Sequence, residues 1–172
     1  PCAVRLTGEL NIQALQRSFD TLAQRHESLR TTFTSGDAGE PLQCVQQSTA
    51  VVIERLQAQD EAQLQQQVDC VNRRPFDLEQ SPSWRVALIE LDPRQHVLVL
   101  CLHHIIADGW SIQVLLDEFA ALYRGHAEGQ PVELAALPIQ YADYALWQRD
   151  HLTGSRLVEQ VQWWREQLGS EQ

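Results

Sequence analysis

Lysine and methionine are both missing from this 172-residue chain. Without lysine there is no amine for a Schiff base and no P-loop lysine, which excludes both chemistries. Every cation is one of 13 arginines. Methionine is missing even at position 1, so Pro1 is not a translation start and the chain reads as cut from something longer. Long apolar runs are lacking too. The longest, Val97 to Leu102, has six residues, whereas a spanning helix needs about 20. No signal peptide is visible, and no membrane partner is expected. Basic clusters are also absent: 13 arginines against 23 carboxylates leave a net charge of −10, which argues against nucleic acid. The four cysteines (Cys2, Cys44, Cys70 and Cys101) contain no C-x-x-C pair. They suggest neither a zinc site nor a disulfide framework, and free thiols fit a reducing cytoplasm.

What is present suits one domain, or one lobe of a larger fold, with a real core. The apolar content is 44%. Residues 2–7 read as a strand, and Ile12, Leu15, Phe19, Leu22 and Leu29 fall near helical spacing behind Asn11, a plausible N-cap. Short strands follow over 30–34, 41–46 and 51–56. Asp60 then caps a helix over 60–74 that Pro75 ends. Residues 84–91 and 96–104 read as a β-hairpin whose second strand is apolar on both faces, the mark of a covered central strand. Ser111 is a candidate N-cap for a helix that Gly125 and Gly129 end. Two last helices run over 138–152, with Pro138 in the first turn, and 155–168. The order β-α-β-β-β-α-β-β-α-α-α predicts a layered α/β (α+β) sandwich with a mixed, largely antiparallel sheet.

One string concentrates the chemistry: His103-His104-Ile105-Ile106-Ala107-Asp108-Gly109-Trp110-Ser111. Strand alternation sends Val97, Val99, Cys101 and His103 to one face and Leu98, Leu100, Leu102 and His104 to the other. The imidazoles therefore point apart, which disfavours a two-His-one-carboxylate metal site. It also turns Cys101 away from His104, against a Cys–His nucleophile pair. A neutral imidazole at a strand end can accept a proton near neutral pH. Gly109 permits φ > 0 where the loop enters the helix. Asp108 requires an arginine or backbone donors.

HHIIADGWS resembles the HHxxxDG signature of the chloramphenicol acetyltransferase-like acyltransferases. Its DGWS ending is similar to that of the condensation domains of nonribosomal peptide synthetases. RHESLRTTF (25–33) resembles the second core motif of that family and YADYALW (141–147) its fourth. The resemblance covers essentially the whole chain, 1–172, as the N-terminal lobe. The first motif and the C-terminal lobe lie outside it.

The resemblance implies a chloramphenicol acetyltransferase-like lobe and amide formation between two carrier-bound thioesters. The partners it implies are donor and acceptor peptidyl carrier proteins, the C-terminal lobe of the same domain and flanking synthetase domains. No cofactor of its own is implied; the phosphopantetheine arm belongs to the carriers. His104 matches the catalytic histidine and His103 a supporting one. Gly109 matches a position that leaves room for the substrate arm and offers a backbone N–H near the oxyanion. Asp108 and Arg25 are expected to form a structural ion pair. Arg30, Tyr141, Asp143 and Trp147 fall in matching motifs, with packing and hydrogen bonding as their expected work. Tyr141, Tyr144 and Trp147 are expected on a core-facing helix stripe. With one lobe present, the isolated chain is expected to be inactive. Epimerisation of a carrier-bound aminoacyl group and non-catalytic carrier docking are the alternatives.

Overall fold

The structure, a computed structural model, describes residues 2–47 and 50–169. They form strand β1 (Cys2–Thr7), helix α1 (Ile12–Arg25), a short 3₁₀ turn (Glu27–Arg30) and strands β2 (Thr31–Ser35), β3 (Pro41–Val45) and β4 (Ile53–Gln57). Helix α2 (Glu61–Arg73), strands β5 (Trp84–Asp92) and β6 (Gln95–Leu102), and helices α3 (Gly109–Glu128), α4 (Tyr141–His151) and α5 (Gly154–Leu168) complete the order. Two units are distinguished, residues 1–136 and 137–172.

In the first unit β1, β6, β5 and β4 form a mixed sheet in that order, and β2 pairs with β3 separately. The β1–β6 and β5–β6 pairs are antiparallel; β4 runs parallel to β5, because α2 carries the chain back between them. This is the layered, largely antiparallel α/β arrangement the element order predicts. β6 is central and both its faces are covered, which explains its unbroken apolar run. Leu98 and Leu100 join Val86 and Leu88 under α1 and α3; Val97, Val99 and Cys101 join Ala87 and Ile89 under α2.

Each helix supplies a stripe at the spacing its burial requires. Leu15, Phe19 and Leu22 of α1 meet Leu115, Phe119 and Leu122 of α3. The Phe19 and Phe119 rings stack with centroids 4.7 Å apart. Truncating fully buried Phe19 to alanine would cost about 3–5 kcal/mol. Asn11 and Asp60 cap α1 and α2 by accepting from Ala14 N–H and Gln63 N–H.

Three local expectations change. Helix α3 starts at Gly109 with Asp108, not Ser111, as its N-cap. It also runs through Gly125 to a left-handed C-cap at Gly129, φ 68°. Gly125 is needed for close approach instead: a Cβ there would lie 1.9 Å from Val132 Cγ2 of the returning chain. Pro138 precedes α4 rather than opening it, since Gln140 is the cap.

In the second unit neither α4 nor α5 has a buried residue. Tyr141, Tyr144 and Trp147 are therefore not the core stripe expected. Their spacing does place them on one face, where successive ring centroids lie 6.0 and 5.7 Å apart and His151 extends the series at 4.7 Å.

Candidate active site

The site begins where β6 ends. Leu102 pairs with Trp84 and lies on the α1/α3 side, and the chain then turns over residues 103–106, closed by Ile106 N–H to His103 O at 3.1 Å. Alternation carries past the strand. His103 keeps to the side of Cys101 and α2, half-buried, with its ring edge-on to Phe76 at 5.9 Å and 83°. Its N–H donates to Ser83 O at 2.9 Å. Its Nδ1 accepts from Ile105 N–H at 3.1 Å, so that nitrogen carries the lone pair and imidazole chemistry on His103 is already committed.

His104 goes the other way and is exposed. Its Nδ1 lies 3.2 Å from Ala107 O, a contact that needs the proton on Nδ1. That tautomer leaves Nε2 as the free acceptor, held by a backbone carbonyl rather than a carboxylate.

Asp108 closes the loop. Its Oδ1 accepts from Ser111 N–H at 2.8 Å and from Ser111 Oγ–H at 2.6 Å. These bonds hold its carboxyl below the usual carboxylate range, the hydroxyl bond contributing most. The expected Arg25–Asp108 pair is therefore not formed. Arg25 Nε bonds instead to both carboxylate oxygens of Glu118 at 3.1 and 3.2 Å, and an Arg25 terminal nitrogen donates to Ala135 O. The reason is axial register. α1 packs along α3, and Glu118 stands ten residues beyond Asp108, about 15 Å at 1.5 Å per residue. His26 Nε2 meets the same carboxylate at 2.6 Å.

Gly109 is the first residue of α3 and is not among the glycines with positive φ, so backbone freedom is not its reason for being there. A Cβ at Gly109 would meet nothing within 4 Å, which leaves open space beside the loop. Trp110 follows at 82% exposure.

Two other motif residues make local contacts. Arg30 donates to Gln46 O at 2.6 Å and pairs with Glu27 at 3.3 Å. Asp143 accepts from Gln140 N–H at 2.8 Å within a capping box. Cys101 is buried on the α2 side, where its thiol donates to Asn72 Oδ1 at 2.8 Å. Burial pushes that thiol up, away from a nucleophilic thiolate. Among the described residues no three His, Cys, Asp or Glu side chains come together as metal ligands.

Two groups are not singled out by their sequence context alone. Glu118 resembles one more solvated helix carboxylate. Arg85 and Phe76 carry a clearer signal, a lone cation in the apolar strand WRVALIEL and an aromatic immediately after a helix-ending proline.

The chain is similar to a linear gramicidin synthase of Brevibacillus parabrevis, 44% identical over 98% of this chain and 3% of that protein. It is 42% identical to the cyclosporin synthetase of Tolypocladium inflatum over 98% of this chain and 1% of that one. Among solved structures, the X-domain of teicoplanin biosynthesis in complex with OxyB superposes with a TM-score of 0.89. It is 34% identical over 99% of this chain and 38% of that one. The chain thus spans a small part of the curated relatives it matches. A family model, the condensation domain, matches residues 1–172, and the chain belongs to the condensation-domain family.

Proposed function

We propose that this chain is the histidine-bearing N-terminal lobe of a domain that forms amide bonds in nonribosomal peptide synthesis. The observation that carries the reading is His104: exposed, fixed through Nδ1 and open at Nε2, beside the empty space at Gly109. In the proposed reaction the α-amine of an acceptor aminoacyl thioester attacks the carbonyl of a donor acyl or peptidyl thioester. The new C–N bond forms, the carrier's thiol leaves, and the amine's proton passes to a base. His104 Nε2 offers the lone pair that orients the amine or takes that proton. Thioester aminolysis is already favourable, so holding the reactants in register supplies much of the acceleration. Gly109 leaves room for the phosphopantetheine arm, which arrives on donor and acceptor carrier proteins. The opposite wall of the site is assigned to the C-terminal lobe of the same domain, and flanking synthetase domains deliver the carriers.

Incubating carrier-bound donor and acceptor with the complete domain, with this chain alone, and with this chain plus the separate C-terminal lobe tests the proposal. Amide product is expected from the first, none from the second. Full turnover by the chain alone would sink the lobe assignment. Deuterium uptake at the substrate Cα without amide formation would assign epimerisation instead.

A second reading draws on the likeness to an X-domain solved with a bound partner: a lobe of this kind can serve as a docking platform. The intact His104, Asp108 and Gly109 favour chemistry over docking alone. A complete domain that binds a partner enzyme but gives no amide would favour the platform.

A further inference from the structure

Nothing in the reaction itself accounts for the side chains gathered at the C-terminal end of α2. There Arg85 and Cys101, direct cross-strand partners on β5 and β6, both reach toward the helix end. Arg85 donates to Val71 O at 2.8 Å, Arg74 O at 2.6 Å and Pro75 O at 2.8 Å. Such carbonyls are left over at any helix terminus, and a planar guanidinium can serve several at once. Desolvation pulls this guanidinium down from its ordinary value, the cost of seating it there. Its flat face in turn covers the Phe76 ring at 4.0 Å.

Phe76 is therefore pinned from one direction by Arg85 and presents itself to His103 from another. Phe76 packs against the α2-side core on one side and on another lines a cavity of about 510 Å³ shared with Leu29, Val51 and Trp84. With open space on one side of the ring, the guanidinium over its face adds a directional restraint to that packing. His103, set against that ring, uses Nδ1 to hold Ile105 N–H and its carbonyl to hold Ile106 N–H. Those two bonds shape the turn in which His104 is the next residue.

We propose that Phe76, clamped by Arg85, is a positioning residue that sets the His103–Ile106 turn and thereby the attitude of His104. This rests on the assignment of His104 as the reacting side chain. The chain of contacts runs from α2 through Arg85, Phe76 and His103, none of which needs to touch substrate.

The test uses the complete domain with histidine labelled at ring carbon, so that each of the six histidines of this chain is read separately by NMR once assigned. Phe76→Leu keeps the site apolar but removes the ring edge. It is expected to lower kcat by roughly 10–100-fold, the scale of a small misplacement of a reacting group, while KM for the loaded acceptor carrier stays within about twofold. The ring signals of His103 and His104 should move, and those of His26, His96, His126 and His151 should stay. Phe76→Tyr, which restores the ring, should recover both kcat and the signals. Arg85→Lys, a point charge that cannot span three carbonyls, should fall between.

Parental kcat with an unmoved His104 signal in Phe76→Leu would overturn the proposal, as would movement of all six signals, which marks general loosening. If the parent domain itself forms no amide, the proposed function fails, yet the signals still judge Phe76: displacement of His104 supports the positioning role and an unmoved ring defeats it.

Discussion

The two sides of the sheet at the end of β6 are built to opposite standards. On the α2 side Arg85, Cys101, Phe76 and His103 interlock through hydrogen bonds and ring contacts. On the other side His104, Asp108, Gly109 and Trp110 are all exposed, and their bonds are local to the loop and the first turn of α3. The difference is what preorganisation looks like in one short string. Two adjacent histidines share a backbone; one is tied down by its contacts while the other keeps Nε2 open, the atom the proposed function uses. A site held by its rear face can stay open at its front without becoming floppy.

The sharpest way to break that contrast is to delete each imidazole in turn in the complete domain. His104→Ala should lower amide formation by roughly 10²–10⁴-fold, the range for a lost acid–base group, with the melting temperature nearly unchanged, since among the described residues its ring hydrogen-bonds locally, to Ala107 O. His103→Ala should cost less activity but lower the melting temperature, because it strips Ile105 N–H of its acceptor and Phe76 of its edge contact. A dead, fully stable His103→Ala beside an active His104→Ala would reverse the two roles.

The next effect sharpens the contrast from behind. Arg25 and His26 share the Glu118 carboxylate, with side-chain exposures of 17% for Arg25 and 14% for Glu118. Glu118→Ala removes the bonds from both and should destabilise by about 1.5–3 kcal/mol, the usual range for hydrogen bonds to charged groups. Denaturant midpoints should show the loss at unchanged m-value. Activity per folded molecule should hold, since this pair lies about three helical turns from Asp108. A fall in kcat without a fall in stability would return Arg25 to the site.

Most of this architecture is legible in the amino-acid order itself. Alternation along 97–104 places both cores and both imidazoles correctly, because a period of two leaves no choice once one face is buried. Asn11 and Asp60 announce their helices, since a cap is a local matter between neighbours. What the chain conceals is everything that depends on axial register between distant elements. Arg25 meets Glu118 and not Asp108 because of where α1 lies along α3, a quantity no local pattern encodes. Gly125 has the sequence character of a helix end and is a contact point with Val132, again a tertiary fact. The Tyr141–Trp147 stripe shows the converse: helical spacing reveals a face, never what covers it.

The smallest effect concerns Asp108, where two candidate caps stand three residues apart. The structure gives the cap to Asp108 and makes Ser111 its donor twice over. Because those bonds hold the carboxyl below its ordinary value, the cap is fully formed above about pH 3.9, the unperturbed aspartate value, and is lost as pH falls through the lower folded value. Asparagine caps about as well as aspartate but does not titrate. In the complete domain, Asp108→Asn should therefore fold like the parent at pH 7, where Asp108→Ala is measurably weaker. On acidification toward about pH 3 the parent's melting temperature should fall relative to the asparagine variant's, by an amount small enough that matched scans are needed. A gap between parent and asparagine variant that stays flat would remove the ionised cap. A variant as stable as the parent at every pH but without turnover would move Asp108 from the scaffold into the chemistry, and the open side of the site would then hold two reacting groups rather than one.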